Sequence, residues 1–265
     1  MKVVILSGAS GGMGLATAKE LTRFGYFVYG LDINNTSDFD NFKFIKTDLT
    51  KQEEIDNAFE IIKKETNEID AIINMAGIYD LNSLIEMGEE EFIRIFNINV
   101  FAMYRLNKTF LPLLKEKGKI FITSSELAPL EPLPFTGIYG ITKTTVEKYA
   151  YSLRMELQLL DYQVVVIRPG AVNTGLLNVS TDKLEKFCES TTHYEYNSKR
   201  FKNIVDKVEA KHIPPEKIGA LVGKIIQKKK PKYVYKINRN SLLILLNVLP
   251  KRLQNRIIKN ILIRK

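Results

Sequence analysis

Tyr139 and Lys143 stand four positions apart in the stretch YGITK. Residues at i and i+4 share one face of a helix, so both side chains can enter a single cleft. A free phenol titrates at about 10 and is a poor base at neutral pH. A neighbouring ammonium stabilises the phenolate and lowers that value, which is how a tyrosine becomes a general acid/base near pH 7. The spacing alone is weak evidence, because it also arises from two solvated side chains on an ordinary helix.

A second cluster lies near the N-terminus. SGASGGMG (7–14) follows an apolar run and opens a helix-like segment. A glycine turn there lets backbone N–H groups approach a pyrophosphate at a helix N-terminus, where the dipole favours the anion. The spacing Gly8, Gly12, Gly14 is Gx₃GxG rather than GxGxxG. Asp32 follows at the end of the next apolar run. A carboxylate there can accept hydrogen bonds from both hydroxyls of an adenosine ribose and repels a 2′-phosphate. The alternatives are a plain glycine-rich loop and a solvated turn aspartate; the strand–loop–helix context favours the nucleotide site.

The elements that must position these residues alternate regularly. Strands are expected at 2–6, 26–32, 42–48, 70–74, 118–125, 163–170 and 232–237. Helices are expected at 14–25, 51–66, 88–114, 139–160 and 215–227. Most of the strands are apolar without alternation, as in a parallel sheet covered on both faces. The pattern predicts a Rossmann-like, doubly wound α/β fold in a single domain, with a parallel sheet flanked by helices. No internal repeat, low-complexity tract or linker interrupts it.

With these blocks in place, the sequence resembles the short-chain dehydrogenase/reductase family over residues 3 to about 175, most nearly its hydroxysteroid and retinol dehydrogenase-like members. The family's TGxxxGxG motif appears as SGASGGMG, with Ser7 for threonine, and its NNAG motif as NMAG (74–77). Its asparagine falls at Asn99 in NINV, its serine at Ser125 in ITSS, its YxxxK at Tyr139 and Lys143, and its PG…T stretch at Pro169, Gly170 and Thr174. The resemblance implies an NAD(P)-dependent oxidoreductase that interconverts a secondary alcohol and a ketone. Tyr139 would be the general acid/base and Lys143 would lower its pKa, helped by the nicotinamide cation, and bind the nicotinamide ribose. Ser125 would hold the substrate oxygen and Asn99 a proton-relay water. Ser7, Gly8, Ser10, Gly12, Met13, Gly14, Asp32, Asp48, Leu49, Asn74, Ala76, Gly77, Pro169, Gly170, Val172 and Thr174 would surround the cofactor, with Asp48 at the adenine and Thr174 at the carboxamide. NAD is expected from Asp32, with NADP left open. Ser125 lies fourteen residues before Tyr139, where the family usually has thirteen. Residues 127–134, LAPLEPLP, can absorb the extra one, and Ser124 is the fallback.

Residues 1–240 are expected to form the dinucleotide-binding and catalytic domain, with a substrate cap over about 175–213. The cap mixes Leu176, Leu177, Val179 and Phe187 with Tyr194, Tyr196 and Phe201, which suits a bulky, largely apolar substrate such as a hydroxysteroid; the same residues also serve as plain packing. His193 and His212 have no metal-ligand spacing to Cys188, and no metal is expected.

The single cysteine excludes an internal disulfide and fits a reducing, cytoplasmic compartment. The opening apolar run is only four residues, too short for a signal peptide and expected as a strand. The net charge of +9 is unevenly placed: 14 Lys and Arg and no acidic residue follow Glu216. Within the basic tail, 241–265, Leu253, Ile257 and Ile261 recur every four residues after Pro250, with Ile258 and Leu262 alongside. Such a helix either packs on its own domain or a partner subunit, or lies on an anionic membrane as a peripheral contact. A homo-oligomer is expected. Nucleic acid is not, because the tail lacks interleaved aromatics beyond Tyr233 and Tyr235. A non-catalytic redox sensor of the same fold is the competing reading; the full Asn–Ser–Tyr–Lys set argues against it.

Overall fold

The computed structural model describes residues 1–209 and 211–263, with the backbone path alone for 176–181, 208 and 209. Seven strands form one parallel sheet in the order β3-β2-β1-β4-β5-β6-β7. They are β1 (Lys2–Ser7), β2 (Tyr26–Asp32), β3 (Phe42–Lys46), β4 (Ile69–Asn74), β5 (Leu114–Thr123), β6 (Gln163–Pro169) and β7 (Val234–Ile237). Strand order reverses between β1 and β4, which opens a crevice at their C-terminal ends.

The unbroken apolar runs follow from burial on both faces. In β1, Val3 and Ile5 enter one core layer while Val4 and Leu6 enter the other. The first layer is closed by α2 (Gln52–Lys63), α4 (Ala102–Phe110) and α5 (Gly137–Leu157), through Ile55, Leu106 and Val146. The second is closed by α1 (Gly12–Arg23) and α8 (Glu216–Ile226), through Leu21, Ile218 and Val222.

The helix expected over 88–114 is divided. α3 (Glu89–Phe96) passes into a π-helical turn, Asn97–Phe101, before α4, and Leu111–Leu113 close it as a 3₁₀ turn at Pro112. The wider turn carries Asn99 inward, where its side chain is held from two sides. β5 also begins earlier than expected, at Leu114, with a register irregularity between its pairings to Ile69 and Ala71.

Residues 175–209 form two helices, α6 (Gly175–Ser190) and α7 (Glu195–Glu209). They close a third cluster around Phe135, against which Phe187, Tyr194 and Phe201 pack edge-on or tilted. Phe135 adopts φ 65°, a left-handed conformation costly for an aromatic residue; packing in that cluster holds it there. The tail forms α9 (Ser241–Val248) and α10 (Lys251–Leu262), and α10 buries Leu262 in the same cluster. Among the described residues, no helix is long and apolar enough to cross a membrane.

Candidate active site

The crevice continues into a largely apolar pocket under α7. Its lining joins the glycine loop at Met13, the turn after β4 at Gly77, Ile78 and Tyr79, the end of β5 at Thr123–Ser125, Tyr139 and Lys143 of α5, and Pro169, Gly170, Val172 and Thr174 after β6. Phe201, Ile204 and Val205 of the cap and Leu243 of α9 complete it. Nine of the residues expected from sequence therefore meet around one space. The other eleven, Ser7, Gly8, Ser10, Gly12, Gly14, Asp32, Asp48, Leu49, Asn74, Ala76 and Asn99, do not line it.

Tyr139 hydrogen-bonds the Ser125 side chain, and the Tyr79 ring stands edge-on against it at 4.6 Å. Burial pushes the phenol up to about 12; the Ser125 bond opposes this, and the carboxylate of Glu126 adds to it. Lys143 is 6% exposed and donates to the Thr123 carbonyl at 3.2 Å. Burial pulls its ammonium down to about 8. The expected lowering of Tyr139 by Lys143 is thus not what the protein alone produces. The ammonium is turned to the Thr123 carbonyl, and desolvation is the largest influence on the phenol.

The two serines separate clearly. Ser124 donates its hydroxyl to Glu147 at 2.8 Å, and Glu147 in turn pairs with Arg168. Ser125 is the one that meets Tyr139. The extra residue of spacing is taken up by successive turns, in which Ala128 N–H donates to Ser125 O and Leu130 N–H to Leu127 O.

Asn99 is 3% exposed. Its amide accepts from Ile78 N–H at 2.8 Å and donates to Ile78 O and to Thr142 Oγ1. It fastens the turn after β4 to α5, with its Oδ1 and Lys143 Nζ both bordering Gly77. Asn74 also acts within the protein, donating to Asn107 Oδ1 and Phe121 O. Ser7 Oγ accepts the N–H groups of Met75 and Ala76 and so ties the glycine loop to the NMAG turn. Leu49 lies in the core layer with Leu31. Asp48 is engaged in its own turn, accepting the N–H and hydroxyl of Thr50.

The glycine loop is shaped for a dinucleotide. Gly8 has φ 70°, and a Cβ on it would come within 2.7 Å of Ala76 N; a Cβ on Gly14 would collide with Gly8 O. A side chain at either position would strike backbone, so the loop can close this tightly only with glycine there. A Cβ on Gly12 would reach Thr174 Cγ2 at 2.8 Å, so the loop and the PG…T segment face each other. Asp32 accepts from Ser10 N–H and Asn34 N–H, both at 3.1 Å. Its carboxylate stands beside the loop at the end of β2. These residues fit a dinucleotide cofactor.

Several participants carried no sequence signal strong enough to find them. Glu126 lines the pocket with its carboxyl raised by burial. Tyr79 and Leu243 sit outside any motif. Phe187 and Tyr194, expected as pocket residues, pack instead into the cap's own cluster, and Tyr196 is 41% exposed. Leu176, Leu177 and Val179 lie outside the residues whose side chains are described. Among the described residues no group of His, Cys, Asp and Glu could hold a metal.

A doubly wound sheet with a dinucleotide cradle and a Ser–Tyr–Lys floor defines an oxidoreductase acting on CH–OH groups. A family model described as "short chain dehydrogenase" matches residues 2–185, and the chain belongs to that family. It is 28% identical over 239 residues to a 3-ketodihydrosphingosine reductase of Bacteroides thetaiotaomicron, covering 89% of this chain and 87% of that protein. It is also 28% identical over 202 residues to mouse estradiol 17-beta-dehydrogenase 2, covering 70% of this chain and 52% of the other. A Brucella melitensis 3-ketoacyl-(acyl-carrier-protein) reductase crystallised with NADH has the same fold: TM-score 0.72 at 21% identity, covering 89% of this chain and 96% of that one.

Proposed function

We propose that the protein is an NAD(P)-dependent reductase and dehydrogenase of bulky, largely apolar ketones and secondary alcohols. The carrying observation is the Tyr139–Ser125 hydrogen bond on the floor of a pocket whose upper wall is Phe201, Ile204, Val205 and Leu243. The glycine loop, Asp32 and Lys143 would hold a nicotinamide cofactor, which would supply the hydride chemistry at the substrate's carbonyl or carbinol carbon. Ser125 holds the substrate oxygen and Tyr139 gives it a proton in reduction, or takes one in oxidation. Lys143, buried beside the phenol, supplies positive charge and binds the nicotinamide ribose. Asn99 positions the turn that borders Lys143 and supports the water through which the proton is replaced. Asp32 favours NAD.

The apolar wall accepts several skeletons. A hydroxysteroid fits the size expected from sequence, and a long-chain ketone fits the name of the Bacteroides relative. Exposed Phe101 and Tyr104 at the start of α4, with Tyr151 and Met155 of α5, support a homo-oligomer. The test is a cofactor-coupled screen of the purified protein with both nicotinamide cofactors and a panel of steroids, retinoids, long-chain ketones and short secondary alcohols. Turnover on the short alcohols alone would refute the bulky-substrate assignment, and no turnover on any would favour a dinucleotide-binding sensor.

A further inference from the structure

We propose that α9 and the outer flank of α10 form a docking surface for an anionic lipid membrane, placed at the mouth of the pocket. Leu242, Leu245 and Val248 recur on one side of α9 and are 70%, 62% and 76% exposed. This exposure is built in, since the helix is fastened at both ends. Asn240 caps it by accepting from Leu242 and Leu243 N–H, and Asn240 N–H donates to Glu126 at 2.6 Å. At the far end Asn247 accepts from Glu131 N–H at 2.6 Å, and Lys251 pairs with Glu131 at 2.7 Å. The opposite side of the same helix sends Leu243 into the pocket lining. One short helix thus has its inner face on the pocket and an apolar face turned outward.

α10 continues the pattern. Gln254 and Leu262 are buried and Ile258 packs on the cap, so the amphipathic helix does cover its own domain. That leaves a second apolar line. Leu253, Ile257 and Ile261 follow one another at i, i+4 and i+8 along one flank, with Leu253 and Ile261 each 43% exposed. Arg252, Arg256 and Lys259 occupy the other flank. Apolar side chains set beside cations are what a helix lying in a lipid interface requires.

Charge selects the occupant. No acidic residue follows Glu216, while 14 Lys and Arg do. A second copy of this chain would bring an equally basic tail to the same contact, and like charges would oppose it. Anionic headgroups complement the tail. Neither helix carries an aromatic residue on which a nucleic acid base could stack. On the enzymatic reading above, docking would also set the pocket mouth where apolar ketones partition; the docking itself does not depend on that reading.

The test is co-sedimentation of the full chain with vesicles of phosphatidylcholine alone and of phosphatidylcholine mixed equally with phosphatidylglycerol. We expect most of the protein to pellet with the mixed vesicles at low salt, and at least a tenfold drop in partitioning at high salt or on neutral vesicles. Leu242→Asn/Leu245→Asn/Val248→Asn and Arg252→Glu/Arg256→Glu/Lys259→Glu should each lose binding by tenfold or more while keeping the thermal midpoint and elution volume of the unmodified protein. A protein that stays in the supernatant with anionic vesicles at low salt overturns the proposal, as do folded variants that bind unchanged. Loss of a dimer in the leucine variant, without vesicle binding by the parent, would assign the face to a second copy instead.

Discussion

Lys143 holds its ammonium 5.6 Å from the centroid of the Tyr139 ring and hydrogen-bonds the Thr123 carbonyl at 3.2 Å. The two side chains leave α5 one turn apart and reach the same floor, but the ammonium is not bonded to the phenol. The phenol's partner is Ser125. Under the proposed function, this division would place a proton donor at the substrate oxygen and a cation behind it.

Replacing Tyr139 by Phe keeps the ring, including its edge contact with Tyr79, and removes the transferable proton. Turnover should fall by about 10²- to 10⁴-fold, the scale of general acid/base catalysis. NADH affinity, read by fluorescence titration, should change only a few-fold. A variant that keeps most of its activity on a confirmed substrate would remove Tyr139 from the mechanism.

The two pKa shifts set opposite pH dependences for the two directions. With the phenol at about 12, Tyr139 carries its proton throughout the neutral range, ready for reduction. The Lys143 ammonium, pulled down to about 8, is charged below that pH and neutral above it. kcat/KM for reduction should therefore be level below pH 8 and decline above it as the cation is lost. Oxidation, which needs the phenolate, should rise with pH. Initial rates in both directions at constant ionic strength check this; reduction that rises through pH 8 would contradict it.

The serines give a sharper test of the site's register. Ser125→Ala removes the phenol's partner and should lower kcat by about 10²-fold. Ser124→Ala removes only the hydroxyl that supports Glu147, and should cost about 1 kcal/mol of stability, the scale of one hydrogen bond, with turnover nearly intact. The reverse ranking in steady-state assays would mean that the turns at 127–134 absorb the extra residue differently.

Asp32 should decide cofactor preference. Its carboxylate accepts from Ser10 N–H at 3.1 Å, which holds it beside the glycine loop. We expect NADH to bind more tightly than NADPH, and Asp32→Ala to narrow or reverse the ratio. Comparing Kd ratios rather than single affinities removes the loosening of the loop that the substitution also causes. Stronger NADPH binding by the unmodified protein would refute the ribose role.

What the sequence revealed of this site divides by how local the cause is. The sheet was legible because burial on both faces writes a continuous apolar run, as in β1. The glycine cradle was legible because Gly8 and Gly14 answer to backbone geometry alone. The roles of Asn74 and Ser7 were not, because their partners, Asn107, Phe121 and the N–H groups of Met75 and Ala76, are far away in the chain. The π turn at Asn99 left no mark that could divide the single helix expected over 88–114. The cap's anchorage was hidden for the same reason. It depends on two acids after β4 that reach far along the chain: Asp80, which pairs with Lys183 of α6, and Glu86, which holds Thr191 to His193.

Glu86 carries the last expectation. Its carboxylate accepts the Thr191 hydroxyl at 2.6 Å and, at 3.0 Å each, the Thr192 N–H, the Thr192 hydroxyl and the His193 N–H. It closes the turn between α6 and α7. The Thr191 bond, with the others, holds the carboxyl down at about 2, against about 4.3 in an unfolded chain. A depressed carboxylate stabilises the folded state fully above its unfolded pKa, and that contribution is lost as pH falls toward the folded one. Glu86→Gln should therefore lower the thermal midpoint at pH 7, and the gap to the unmodified protein should close between about pH 4 and pH 2. Circular dichroism melts across that window read it directly. Because the turn carries α7, whose Phe201 and Val205 wall the pocket, KM for a bulky ketone should rise in the variant while kcat stays near its original value. A KM unchanged alongside a lowered midpoint would separate the turn's stability from the pocket's shape.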